Sequence, residues 1–466
     1  MKIDNLWLKY TEEDVTKVQE VCDRYKQCLD DGKTERECVA QVIEMARQKG
    51  YRELHSVIKE GGTPKAGDKL YAVQMDKSIV LFQMGKKPVS EGMNILGAHI
   101  DSPRIDIKQR PLYETEGFAY LDTHYYGGIK KYQWTTIPLA LHGVVAKKDG
   151  TVVKISIGEK DDEPVFVITD LLIHLAGEQM AKKADAVIAG EKLDLLIGNR
   201  PLQQSEELDK EEKEAVRANI LRLLSETYGI EEEDFLSADL EIVPAGRARD
   251  LGVDRSMILA YGHDDRVCAF TSVFAMLDLA DEITEHTLCC LLVDKEEIAN
   301  VGATGMASQF FENTIAELVA ATERDSQLLV RRALASSKML SSDVSAGFDP
   351  LYADVYEKKN SAFLAKGLAF NKYTGSRGKR GSSEATAEFV AQIRRIMEDA
   401  DVMYQFSELG KVDAGGGGTI AHLMAEYGMN VIDSGVSVLN MHAPYEVVSK
   451  ADVYEAVRGY RAFLRA

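Results

Sequence analysis

The sequence predicts an α/β fold: a mixed, mainly parallel sheet flanked by helices, with an inserted β-rich second domain. Three observations predict it. From about residue 256 onward, short apolar runs (MILAYG, TLCCLLVD, KMLSSD, DVMYQF, MNVID, VSVLN) alternate with helical segments, which is the pattern of βαβ units. Residues from about 105 to 250 have a different texture, rich in β signals early (TVVKISIG, EPVFVIT) and ending in a charged helical stretch. The apolar runs also end repeatedly in histidines and carboxylates, as strands do where an open α/β sheet binds its ligand.

In chain order, Thr11 followed by Glu12, Glu13 and Asp14 predicts a capped helix start, with the helix running to about Asp30. A second helix follows to about Lys49, before Gly50. Residues 70–84 predict a hairpin turning at Asp76-Lys77. Asn94 to His99 is a short apolar strand with a polar end. GGIKKYQWTTIPLALHG predicts strand and loop, and SEELDKEEKEAVRANILRLLSETYG a charged helix with a solvated face. The later helices are expected in VCAFTSVFAMLDLADEI, GATGMASQFFENTIAEL, SSEATAEFVAQIRRIME, GTIAHLMAEYG and KADVYEAVRGYRAFL. This divides the chain into 1–104 and 251–466, two parts of one domain, and the insert 105–250.

Composition narrows the function classes. The 466 residues are 45% hydrophobic and 28% charged, enough apolar content for a substantial core and too much for a disordered chain. With 56 Lys and Arg against 75 Asp and Glu, the net charge is −19, a poor match for nucleic acid or an anionic membrane. The six cysteines form no CxxC pair, which fits a reduced, cytoplasmic chain. The start MKIDNLWLKYTEED lacks the apolar region of a signal peptide, and no apolar stretch approaches the ~18 residues of a membrane span.

Five expected strand ends carry the chemistry: His99-Ile100-Asp101, Gly262-His263-Asp264-Asp265-Arg266, Asp294-Lys295-Glu296-Glu297, Ser341-Ser342-Asp343, and His442. Zinc takes histidine nitrogen and carboxylate oxygen. Two ions roughly 3.5–4 Å apart need a bridging carboxylate and terminal ligands on each side, and a further Glu can serve as general base. Residues two apart in a strand share a face, so Asp101 can orient His99. Of Glu296 and Glu297, one can bind metal and the other act as base if the pair sits at a turn. Each piece also has an ordinary reading. A His-x-Asp occurs incidentally, acidic doublets are expected in so acidic a chain, Asp343 suits a helix cap, and His442 suits a loop.

GAHIDSPRIDIK, YGHDDRVCAF, VDKEEIANVGATG, SSDVSAGFDP and NMHAPYEVVSKADV, in that order along the chain, closely resemble the aspartyl aminopeptidase family of dinuclear-zinc exopeptidases. The resemblance implies two Zn²⁺ per subunit, with Co²⁺ or Mn²⁺ as substitutes. His99 and His442 would be terminal ligands, Asp264 the bridge, Glu297 and Asp343 the remaining ligands, Glu296 the base, and Asp101 the residue orienting His99. It implies a cis peptide after Asp264, and it makes the first and last segments a catalytic domain and the insert a dimerisation and oligomerisation domain. The family assembles as tetrahedral dodecamers, and a histidine of the insert reaches a neighbouring active site. His174 in ITDLLIHLAGE is the candidate, against a histidine on an apolar helix face.

Two further segments are candidates for substrate contact. Gly417 lies in the run Gly415–Gly418, where glycine permits close approach to a ligand ahead of a helix start; a flexible turn is the competing reading. Lys379 and Arg380 lie in the basic stretch 372–380, where the family places a cation for an acidic substrate side chain. The stretch is longer here, which leaves a solvated loop and a preference for neutral residues such as leucine open. The expected function is a metallo-aminopeptidase acting on peptides with a free N-terminus. The alternatives are a carboxypeptidase or deacylase on the same scaffold, or a non-catalytic assembly or cargo protein.

Overall fold

The computed structural model describes residues 5–203, 214–376 and 378–466. The first part of the expected charged helix, residues 205–213, lies outside them, as does Arg377. Two compact units are present: residues 1–102, 248–441 and 446–466 form one, and 103–247 with 442–445 form the other.

The first unit is organised by a nine-stranded mixed sheet. Its centre is parallel: Met93–His99 lies between Thr287–Val293 and Lys338–Ser342, and Asn430–Gly435 follows on the far side of the latter. The hairpin Lys69–Gln74 with Ser78–Gln83 adds antiparallel pairing on one flank. Its turn is the three residues Met75, Asp76 and Lys77, the first two at positive φ. The central strands are buried on both faces, which is why they read as continuous apolar runs rather than alternating ones. One face packs Leu96, Cys290, Leu340 and Ile432 against the buried helix His263–Asp278 and the C-terminal helix Lys450–Arg465. The other packs Ile95, Cys289, Leu291 and Met339 against helices Phe310–Thr322 and Gln327–Ser336. All six cysteines are free and buried.

Two N-terminal helices start at capping boxes, Thr11 with Asp14 and Thr34 with Glu37, which satisfy amide groups that a helix start leaves without intrahelical partners. The one at Thr11 is where the sequence placed it.

Two expectations needed correction. The apolar runs around 257–260 and 437–439 belong to a separate five-stranded sheet rather than the main one. There Met257–Ala260 pairs antiparallel with Glu446–Ser449. The choice of partner is a long-range pairing that strand propensity alone does not encode. EPVFVIT makes only isolated bridges, Leu139 to Phe166 and Val167 to Leu196.

The second unit contains a six-stranded antiparallel sheet with long strands Arg104–Thr115 and Phe118–Tyr126 and the helix Ala215–Tyr228.

One buried acid in the main sheet makes a pH prediction. Asp433 is buried and accepts a hydrogen bond from the Thr419 hydroxyl at 2.6 Å, and burial pushes its carboxyl up to about 7. A raised pKa means the folded chain holds a proton that the unfolded chain releases near 3.8. Its contribution is therefore complete below about pH 4 and is lost as pH rises to about 7, on the order of 2–4 kcal/mol. Asp433→Asn stays neutral and is expected to flatten that decline. Urea midpoints measured across this range check it, and parallel pH profiles for variant and parent would refute it.

Candidate metal centre

Strand register brings the site together. In the parallel pairing His99 faces Val293, and Gly97 faces Ser341. The residues just beyond the three strand ends, Asp101, Glu296-Glu297 and Asp343, therefore emerge at one edge of the sheet. The Glu pair sits at a strand-to-loop turn: Lys295 is left-handed at φ 68°, and Glu296–Ile298 is a single 3₁₀ turn.

The HDDR segment approaches from the start of the buried helix. Gly262 precedes it at φ 76°, where a Cβ would lie 1.9 Å from a guanidinium nitrogen of Arg266. Asp264 and Asp265 have non-helical backbone angles, and the expected cis peptide joins them.

Two groups of side chains have ligand atoms within 4.8 Å of one another: His99, Asp264 and Glu297, and His99, Asp265 and Asp343. His99 Nε2 lies 3.2 Å from Asp264 Oδ1 and 3.9 Å from Asp343 Oδ1. Its Nδ1 faces the Asp101 carboxylate at 3.3 Å and the Asp101 carbonyl at 3.0 Å, so Asp101 does meet His99. Asp101 does more than that expectation. Its two carboxylate oxygens accept the backbone N–H groups of Glu296 and Glu297, each at 3.1 Å, and so tie the Glu turn to the His99 strand.

Electrostatically the cluster is overloaded with negative charge. Burial first, and then the neighbouring Asp265, raise the Asp343 carboxyl well above its ordinary range. Burial likewise raises Asp265, with Asp264 adding to it. Burial alone would lower His99, but the carboxylates of Asp101 and Asp264 outweigh it and hold the ring well above its usual value. Four buried or half-buried carboxylates around one imidazole form a donor set suited to a divalent cation, whose charge would reverse these shifts.

The other candidates lie elsewhere. His442 is outside both groups; it has φ 65°, its Nδ1 meets the Gly128 carbonyl at 2.9 Å, and it belongs to the second unit. His174 occupies the short turn Ile173–Leu175, not a buried helix face, among exposed Leu171, Leu172, Ile173, Leu175 and Met180. Lys379 pairs with Glu384 at 3.1 Å and lies over the Tyr373 ring. Arg380 exchanges backbone hydrogen bonds with Ser376. The Gly417 carbonyl accepts from the Gly375 N–H at 2.6 Å, so the close approach that the glycine run permits is taken up by the neighbouring basic loop. Asp265 was not singled out from sequence; its only signal was the doublet. Ser102 and Glu446 were not singled out either; their only signal was their place inside GAHIDSPRIDIK and NMHAPYEVVSKADV.

A mixed sheet presenting a histidine and carboxylates beyond its parallel strand ends is the setting of a metal-dependent protein. The comparisons with known proteins make that class specific. The model of a family described as aminopeptidase I zinc metalloprotease (M18) matches residues 28–464. A probable M18 family aminopeptidase 1 of Clostridium acetobutylicum is 55% identical over 460 residues, covering 99% of this chain and 97% of that one. Its counterpart in Borreliella afzelii is 41% identical over 468 residues, covering all of both chains. Among solved structures, an M18 aminopeptidase from Thermotoga maritima superposes with a TM-score of 0.93 at 40% identity, covering 100% of this chain and 99% of that one. Aminopeptidase I of Clostridium acetobutylicum gives 0.92 at 52%, with full coverage of both. The chain belongs to the M18 family and is a zinc-dependent aminopeptidase. A yeast Ape1 dodecamer shares the fold at 19% identity and a TM-score of 0.75.

Proposed function

We propose that this aminopeptidase works through a dinuclear centre at the two side-chain groups that share His99. The observation that carries the reading is the donor set: Asp264 with Glu297 and Asp265 with Asp343 surround His99, more carboxylates than one four-coordinate ion takes. Asp264 is assigned as bridge, Glu297 and Asp343 as terminal ligands on either side, and His442 as the second histidine ligand. Bound zinc ions, or Co²⁺ or Mn²⁺ in their place, would supply Lewis-acid polarisation of the scissile carbonyl and acidification of water.

The chain's own residues do the rest. Glu296 takes a proton from the attacking water and delivers it to the leaving amine. Asp101 holds the N–H groups of Glu296 and Glu297, which supports division of labour between two adjacent carboxylates, one base and one ligand.

The second unit is assigned to oligomer contacts. Its exposed apolar turn around His174 supports an assembly in which that histidine faces a neighbouring subunit's site. A tetrahedral dodecamer is the proposed form, and the cytoplasm the proposed location. The basic loop with Lys379 and Arg380, and Gly417 beside it, are assigned to the substrate N-terminal residue, acidic or leucine-like.

An aminoacyl panel (Asp, Glu, Leu, Met, Lys), each with free and acetylated amine, tests the reading. Hydrolysis is expected only with the free amine, lost on chelation and restored by Zn²⁺, Co²⁺ or Mn²⁺, on a sample that light scattering shows to be oligomeric. Equal cleavage of acetylated substrates would favour a deacylase. A bound-metal ratio of one would refute the dinuclear centre, and a monomer the role of His174.

A further inference from the structure

The aspartate proposed to bridge the metals is held by its backbone at both ends. Its N–H donates to Glu446 Oε2 at 2.9 Å. Its carbonyl accepts from the Ser102 hydroxyl at 2.5 Å. Ser102, Glu446 and Asp264 are all buried.

The local backbone explains why outside partners are used. Asp264 has ψ 106°, far from the helical value near −42°, so its carbonyl does not point along the helix that follows. Its N–H lies in the first turn, where a helix supplies no acceptor. The two partners come from distant segments. Glu446 begins the strand Glu446–Ser449, which pairs with Met257–Ala260, so its carboxylate arrives through sheet register. Ser102 directly follows Asp101, and Gly262 leaves the space: a Cβ there would come 3.1 Å from the Ser102 hydroxyl. The short run His99–Ser102 thus touches three parts of the candidate centre: His99 itself, the Glu296-Glu297 turn through Asp101, and the Asp264 carbonyl through Ser102.

We propose that Ser102 and Glu446 are positioning residues for the metal centre: by holding both backbone polar atoms of Asp264 they fix the directions in which the Asp264 and Asp265 carboxylates face. This rests on the metal centre proposed above. Rotation of the Asp264 peptide planes would carry its carboxylate away from His99, now 3.2 Å distant, and move Asp265 with it. Partners that orient metal ligands typically change metal affinity 10–100-fold when removed.

The test measures Zn²⁺ affinity by competition with a chromogenic chelator, and the visible spectrum of the Co²⁺-loaded protein, for Ser102→Ala, Glu446→Ala and Glu446→Gln. The Ala variants are expected to bind Zn²⁺ about 10–100-fold more weakly, with a shifted Co²⁺ spectrum and, at saturating metal, a lower kcat at unchanged KM. Glu446→Gln keeps an acceptor oxygen for the Asp264 N–H and is expected to restore the parental spectrum and most of the affinity. Ser102→Ala removes one hydroxyl and leaves the main-chain path intact, so it carries the test if Glu446→Ala fails to fold. Parental affinity and spectrum in Ser102→Ala, or a Glu446→Gln protein as impaired as Glu446→Ala, would overturn the proposal. A parent protein that binds no metal would instead overturn the metal centre itself.

Discussion

Glu296→Gln is expected to lower kcat by about 10²–10⁴-fold, roughly 3–5 kcal/mol of barrier, while leaving metal content and KM close to those of the parent. Gln matches Glu in shape, and the backbone N–H of residue 296 remains available to Asp101, so the turn that carries Glu297 should survive. What disappears is the ability to accept a proton from water and pass it to the leaving amine. Steady-state kinetics on a free-amine aminoacyl substrate, with metal analysis of the same sample, decide the matter. Undiminished turnover would remove Glu296 as the base. Lost metal would show that it is a ligand and shift the role of base to its neighbour.

Asp264→Asn should affect the metal-loaded protein far more than the metal-free one. Without metal, the Asp264 carboxylate adds, after burial, to what raises Asp265 and Asp343, and it also faces the His99 ring at 3.2 Å, which it helps hold above its usual range. Removing one negative charge relieves the first interaction and loses the second, so metal-free Asp264→Asn is expected to melt close to the metal-free parent. With metal the two proteins separate, because the variant loses the carboxylate proposed to bridge the ions. Its bound-metal ratio should fall, and activity at stoichiometric metal should drop by ~100-fold or more, at least the loss seen when an outer partner is removed. Calorimetric melting with and without Zn²⁺ checks both expectations. A Zn²⁺-loaded variant as stable and as active as the Zn²⁺-loaded parent would remove Asp264 from the metal centre.

Much of this architecture was legible because local patterns and global fold agree. The helix start at Thr11 and the hairpin at Asp76-Lys77 are short-range features set by capping and turn chemistry, and they stand where the sequence put them. The central strands were readable because burial on both faces makes them continuously apolar. The polar residues at their ends could then be read as a site, since parallel strands deliver their carboxyl ends to one edge.

The rest depended on long-range pairing. The run MILAYG looks like another strand of the main sheet, yet it pairs antiparallel with Glu446–Ser449 in a separate one. That pairing brings Glu446 to the Asp264 N–H, across 182 positions of sequence. Ser102 likewise reaches the Asp264 carbonyl across 162 positions. Both lie in segments that carry the family resemblance, yet their contacts with Asp264 are set only by the fold. The glycine run Gly415–Gly418 shows the same limit: sequence shows that close backbone approach is allowed, and only the tertiary structure shows that Gly375 takes it up.

The amino-acid sequence by itself determined the α/β class, the capped helix start at Thr11, the buried strands and the kinds of residue at their ends, because these follow from local propensity and hydrophobic periodicity. Tertiary structure alone decided which carboxylates share His99, how Asp101 ties the Glu turn to its strand, and what holds the backbone of Asp264. Those are contacts between segments far apart in the chain, and their geometry is set by sheet register and packing rather than by any residue's neighbours in sequence.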